Sequence, residues 1–146
     1  MWSQRPSTLK AAAEQAVLYG TLGAFIREFL DEFYAISDPE AKLRAIADEP
    51  PLLEHPTANA YLAAVAEHLS LTNHIDPPDW TQQDGRFLKR PFFPANLDSL
   101  KALCIRESPT AFRRRMIFVD SKPLSRPSQC QLEPLLRHNC SILSIG

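Results

Sequence analysis

The sequence predicts a mainly α-helical protein: a single compact domain of about five helices, with a proline-rich extended arm at 74–95 and a short strand or extended segment at 116–119. Apolar residues recur at three- and four-residue steps in several stretches, which is the period of a helix with one buried face. The 146-residue chain has 13 prolines and 4 glycines, and this composition suits helices joined by stiff connections. We expect the domain to cover 1–126 and a loosely ordered tail to cover 127–146.

The first helix is predicted to run from a cap at Ser7 or Thr8 to about Ile36. Gly20 and Gly23 lie inside its apolar pattern, so the helix is expected to bend or break there. Its phenylalanine-rich stripe is expected to be core, and a groove for a partner is the alternative.

The second and third helices have clear start signals. Asp38 can cap a helix in which Pro39 takes the first position, and Pro50-Pro51 ends it. A third helix is expected from Pro56 or Thr57, with one apolar face and several alanines that allow a neighbour to approach closely.

Helical periodicity stops at His74, and we expect an extended connection to Pro94 that Trp80 anchors to the core. Asn96 is predicted to cap a fourth helix that ends near Glu107. Ser108 is predicted to cap a short fifth helix before the extended residues 117–119. The side chains expected to be buried are Phe29, Phe33, Leu62, Val65, Trp80, Leu100, Phe112 and Phe118.

Charge is distributed unevenly along the chain. Residues 1–85 contain five Lys+Arg against thirteen Asp+Glu, a balance of −8, whereas 86–126 contain ten against three, a balance of +7. Two interpretations are open: the halves attract each other within one fold, or a basic face is offered to an acidic partner, either protein or nucleic acid.

The stretch ESPTAFRRRMIFVD carries the main candidate site. A guanidinium presents a planar set of donors that fits carboxylate and phosphate groups. Phe92 or Trp80 could stack on unpaired bases. The alternative is internal pairing of the arginines with Glu28, Asp31, Glu32, Asp48 or Glu49. The residues predicted to bind a partner or nucleic acid are Arg86, Lys89, Arg90, Arg113, Arg114 and Arg115.

Motifs for catalysis and cofactor binding are missing from the sequence, so we expect neither an enzyme nor a bound cofactor. Cys130, His138 and Cys140 do not have compact zinc-site spacing, and Cys104 lies in an apolar pattern. Three cysteines without a disulfide spacing, no signal peptide and no apolar span indicate a cytoplasmic protein that does not enter membranes.

Several strings, among them DEFYAI, AYLAAVAEHL, RFLKRPFFP and ESPTAFRRRMIFVD, occur in an order that resembles a widespread group of small bacterial proteins. The likeness covers roughly residues 25–126. Members of that group are often encoded beside a nucleotidyltransferase-like protein, in an arrangement similar to a toxin–antitoxin pair. The resemblance implies a protein-interaction module that neutralises such a toxin by covering its active cleft. The alternatives are a nucleic-acid-binding protein that uses the basic region 86–126, and a domain in which the arginine cluster is purely structural.

Overall fold

The computed structural model describes residues 6–19, 22–94, 98–119 and 124. Six α-helices occur in this part of the chain, which confirms the predicted mainly α-helical class. They are α1 (Leu9–Tyr19), α2 (Leu22–Ala35), α3 (Pro39–Ala47), α4 (Pro56–Thr72), α5 (Lys101–Glu107) and α6 (Thr110–Arg113). The predicted tail at 127–146 and the predicted cap at Asn96 lie outside the described residues.

The helices α1 and α2 pack against each other. The hydroxyl of Thr8 accepts a hydrogen bond from the Ala11 N–H at 3.0 Å, so Thr8 caps α1 as predicted. The sequence predicted one helix that bends or breaks at Gly20 or Gly23, and the structure has two helices with Gly23 buried inside the second. The phenylalanine stripe of α2 is core, because Phe29 and Phe33 are fully buried with ring centroids 5.8 Å apart.

The start signal of α3 works as predicted. The Asp38 carboxylate accepts a hydrogen bond from the Glu40 N–H at 3.3 Å, and Pro39 occupies the first helical turn. A proline at this point loses no hydrogen bond, because the first N–H groups of a helix have no partner within it.

The central element is α4, which is buried from Asn59 to Glu67. The alanines at 60, 63, 64 and 66 are fully buried, so neighbouring elements approach the helix closely on several sides. α1, α6 and two 3-10 turns all pack on it. Asn59 also fixes the preceding loop, because its side-chain amide accepts from Leu53 N–H at 2.6 Å and donates to Leu53 O at 3.0 Å.

The connection after α4 is less extended than the sequence predicted. It forms two 3-10 turns, at Asp79–Gln82 and Asp84–Arg86. Trp80 anchors it as expected: the ring is buried, and the indole N–H donates to Ile46 O at 3.1 Å. At its end Phe92 forms a short parallel bridge with Ile117, the place where a strand or extended segment was predicted.

Two expectations for α5 and α6 were wrong. Leu100 was expected to be buried but is 37% exposed. It is the last residue of a 3-10 turn that has no buried residue, and in the following helix α5 the one buried residue is Cys104. Ser108 does not cap α6, whose cap position is Pro109. The buried Ser108 hydroxyl instead lies 2.6 Å from Cys104 O and 3.0 Å from Val119 O. It also accepts a hydrogen bond from the Val119 N–H at 2.8 Å.

The other side chains expected to be buried are buried, with the exception of Phe118, which is half-buried. None of the helices in the described part of the chain combines the length and apolarity needed to cross a bilayer.

His74, just after the end of α4, has a strained backbone conformation. The Ile75 N–H donates to Ser70 O at 2.9 Å and the His74 N–H to Leu71 O at 3.5 Å, a pair of bonds that places His74 in the left-handed region with φ 58°. Glycine is the usual residue there because a Cβ is strained in this conformation, by roughly 1–2 kcal/mol.

We expect His74→Gly to raise the free energy of unfolding by about 0.5–1 kcal/mol, since a more flexible unfolded chain offsets part of the relieved strain. Urea unfolding followed by circular dichroism measures this. His74→Ala is the control, because alanine keeps the strain. Equal stability of the Gly and Ala variants would contradict the prediction.

Candidate interaction surface

A buried carboxylate organises the arginine-rich end of the protein. Glu67 lies on α4 with only 4% of its surface exposed. Its carboxylate accepts hydrogen bonds from Arg115 Nη1 and from Arg114 Nη1, the latter at 2.6 Å. A buried carboxylate without a cation is costly, so Glu67 requires these partners.

Arg115 is fully buried and connects three elements. Besides Glu67 on α4, its guanidinium donates to Ala111 O at 2.8 Å and to Thr81 O at 2.6 Å. The Phe87 ring lies beneath it, with the guanidinium carbon 4.5 Å from the ring centroid. Burial lowers the pKa of Arg115 and the hydrogen bond to Glu67 raises it, with burial the larger effect.

The backbone directs Arg115 inward. After α6, Met116 takes a left-handed conformation with φ 63°, while the Ile117 N–H donates to Phe112 O at 3.0 Å. This closing turn buries Ile117 beneath α6 and holds Arg115 at the end of the helix, so that its side chain runs back along the helix to Ala111.

Arg114 lies at the border between the interior and the surface. It shares Glu67 with Arg115, and its Nη2 donates to Gln82 Oε1 at 2.9 Å. Its side chain is 42% exposed, so a partner molecule can reach the outer edge of this guanidinium.

Arg86 is the second interior arginine, and it too is fully buried. Its Nη2 donates to Pro50 O at 2.7 Å and lies 4.0 Å from the Glu49 carboxylate. The guanidinium stacks on the Trp80 ring at 4.9 Å. Burial lowers the pKa of Arg86, and the Glu49 charge opposes that effect.

The remaining predicted site residues, Lys89, Arg90 and Arg113, are exposed. Arg113 donates from Nη2 to Arg106 O at 2.7 Å. Within the described part of the chain, none of these three cations has a carboxylate within 4.0 Å. A molecule that touches the folded protein therefore meets Lys89, Arg90, Arg113 and the edge of Arg114, but not Arg86 or Arg115.

Half-buried phenylalanines lie among these cations. Phe93 stacks on Phe118 with centroids 5.3 Å apart, and Lys101 Nζ lies 5.3 Å from the Phe93 centroid. The Phe92–Ile117 bridge joins this group to the end of α6. Trp80 is excluded from stacking on a ligand because it is buried and covered by Arg86. We call the following residues the basic surface: Lys89, Arg90, Lys101, Arg106, Arg113 and Arg114.

Sequence reasoning missed Glu67. It named five other carboxylates as internal partners, and one of these, Glu49, lies 4.0 Å from a predicted site arginine, Arg86. A signal for Glu67 was present in the string AYLAAVAEHL, where one carboxylate interrupts a continuously apolar helix. A charge in such a position needs a buried partner.

The half-buried histidine of α4, His68, lies against an aromatic ring. The His68 ring packs edge-on against Phe112, with centroids 5.7 Å apart, and burial lowers its pKa below 6.5. In the described residues no three His, Cys, Asp or Glu side chains come together as metal ligands. Cys130, His138 and Cys140 lie outside those residues.

Comparison with known proteins does not assign this chain to a family. No family model, no curated protein and no solved structure matches it. The function proposed below is therefore supported by the geometry of the basic surface and by the sequence resemblance described above.

Removal of the Glu67 charge tests the buried cluster. We expect Glu67→Gln to lower the free energy of unfolding by ~3–5 kcal/mol, because Arg115 is left as an uncompensated buried cation. The matched control Glu54→Gln changes an exposed carboxylate and should stay within ~0.5 kcal/mol of wild type.

Arg115→Met should be similarly destabilising, and the double variant with Glu67→Gln should lose less than the sum of the two single losses. Denaturant titration of all four proteins measures this coupling. Additive losses would show that the two side chains do not act as a pair.

His68 gives a pH dependence with a defined sign. Its folded pKa lies below its ordinary value of 6.5, so the unfolded chain binds more protons in the window just below that value. The free energy of unfolding should therefore rise with pH up to about 6.5. The stability that the neutral His68 provides is lost as pH falls through the folded pKa. In His68→Gln the slope of unfolding free energy against pH in this window should be smaller, and an unchanged slope would contradict the assignment.

Proposed function

We propose that this protein is a protein-interaction module that binds an acidic protein partner through the basic surface. The proposal rests on the difference between the cations that are buried and those that are exposed. Arg86 and Arg115 are used inside the fold, whereas Lys89, Arg90 and Arg113 are exposed without a carboxylate partner among the described residues. Exposed cations that folding does not neutralise are available to a negatively charged surface.

Apolar side chains beside these cations favour a protein as the partner. Leu103 is 38% and Ile105 is 49% exposed on α5, the helix whose carbonyl at Arg106 is held by Arg113. Protein interfaces combine apolar area with arginine, whereas nucleic-acid surfaces are dominated by charge.

The resemblance supplies a specific form of this proposal: the partner is a nucleotidyltransferase-like toxin, and the chain neutralises it by covering its active cleft. Catalytic clefts that handle nucleotides hold carboxylates to bind magnesium. A surface rich in exposed cations is complementary to such a cleft.

Co-expression with a nucleotidyltransferase-like protein of the kind encoded beside the resembling proteins tests the proposal. We expect a complex that survives size-exclusion chromatography and an increase in cell survival. In Lys89→Ala/Arg90→Ala/Arg113→Ala the affinity should fall at least ~10-fold, equivalent to ~1.4 kcal/mol.

Lys10→Ala/Arg44→Ala is the control, because it removes two exposed cations on α1 and α3, helices that contribute nothing to the basic surface, and it should not weaken the complex. Separate elution of the two wild-type proteins would refute the toxin partner, and equal effects of the two sets of substitutions would refute the surface.

A nucleic-acid ligand is the second candidate, and the half-buried rings Phe93 and Phe118 among the cations favour it. Stacking of bases on aromatic side chains beside a cationic groove is typical of single-strand binding. The same variants can be titrated with a single-stranded oligonucleotide. Binding at ~50 mM salt that falls steeply as salt is raised would support this candidate, and no binding there would exclude it.

A further inference from the structure

A second charged patch borders the basic surface. Its carboxylates are exposed and lie on two segments, 48–54 and 76–84. The segments are joined by Gln83 Nε2, which donates to Glu49 Oε1 at 3.3 Å, and Trp80 holds the second segment to Ile46 of α3, just before the first. We call this the acidic patch, and it consists of Asp48, Glu49, Glu54, Asp76, Asp79 and Asp84.

The two patches meet at the second 3-10 turn and at Gln82. The contact between Arg114 and Gln82 Oε1, at 2.9 Å, joins the basic surface to the segment that carries Asp79 and Asp84. The chain then passes from Asp84 to Lys89 in five residues. The two patches therefore adjoin at Gln82 and along the segment from Asp84 to Lys89.

Folding leaves the acidic patch largely unneutralised. Within the described residues, its one ion pair is the contact between Glu49 and Arg86 at 4.0 Å. Among the described residues, the carboxylates paired with cations of the basic surface are Glu67 with Arg114, Asp98 with Lys101 at 3.0 Å and Glu107 with Arg106 at 3.8 Å, and none of the three belongs to this patch. Both charged areas are therefore available for contacts outside the molecule.

Neighbouring patches of opposite charge are complementary to themselves under a two-fold rotation. Such a rotation places the acidic patch of each copy over the basic surface of the other, so the pair contains two equivalent contacts between opposite charges. Leu52, 60% exposed within the segment 48–54, provides apolar area at the same place. Charge sets the orientation of such a contact, and apolar burial adds affinity.

We infer that a second copy of this chain binds here, in a symmetric pair that covers the basic surface. The inference does not depend on the nature of the partner proposed above. Its consequence for that partner is competition, because an acidic protein must displace the second copy to reach Arg90 and Arg113.

Sedimentation velocity over a concentration series gives the first test. At ~50 mM salt, where surface charges are weakly screened, we expect a concentration-dependent dimer. At ~1 M salt, where the screening length falls to ~3 Å, the dissociation constant should rise at least ~10-fold. A chain that is monomeric throughout the low-salt series would overturn the inference.

Charge reversal gives the sharper test. Arg90→Glu/Arg113→Glu and Asp79→Lys/Asp84→Lys should each be monomeric alone, because like charges then face each other across the two-fold axis. An equimolar mixture of the two should recover a dimer, since the reversed basic surface of one fits the reversed acidic patch of the other. Circular dichroism of each variant reports whether it has folded.

Lys10→Glu/Arg44→Glu is the matched control for net charge, because it makes the same change at two exposed positions outside both patches. This control should dimerise like wild type. If the control is also monomeric, net charge alone governs association and the assigned interface is wrong. Failure of the mixture to dimerise would likewise overturn the assignment.

Discussion

The contact between Glu67 and the two arginines that follow α6 is the constraint on which the rest of the structure depends. α4 is buried along most of its length, and the carboxylate of Glu67 on it is almost entirely removed from solvent. Arg114 and Arg115 supply the opposite charge from 47 and 48 residues away. The pairing thereby fixes α6 against α4, and α6 in turn positions the bridge between Ile117 and Phe92.

The interior arginines also satisfy backbone oxygens that regular structure leaves unpaired. Proline-rich connections donate few backbone hydrogen bonds, so carbonyl groups beside them need other donors. Arg86 donates to Pro50 O, and Arg115 donates to Thr81 O and Ala111 O. A guanidinium suits this role because it carries five N–H donors and keeps its charge. The ring of Trp80 lies 4.9 Å from the guanidinium carbon of Arg86, and the ring of Phe87 lies 4.5 Å from that of Arg115.

This arrangement separates two roles within one basic segment. The cations that hold the fold together are enclosed, and others in the same segment are exposed, as are the apolar side chains Leu103 and Ile105 of α5. The acidic patch lies beside the basic surface. The protein thus presents adjoining surfaces of opposite charge around interior arginines that have carboxylate partners, and both proposals above concern the contacts that these surfaces make.

The sequence by itself determined the helical class, the starts of α3 and α4, the buried face of α4 and the anchoring by Trp80. These features depend on caps, prolines and periodicity, which act between residues close together in the chain. Only the tertiary structure decided which arginines are internal, that Glu67 is their partner, and that Leu100 is exposed. Each of these outcomes depends on which distant segment packs against the residue, and the three arginines of the triplet are identical in type. The geometry of α6 and its closing turn is what sends Arg115 inward, leaves Arg114 at the border and keeps Arg113 in solvent.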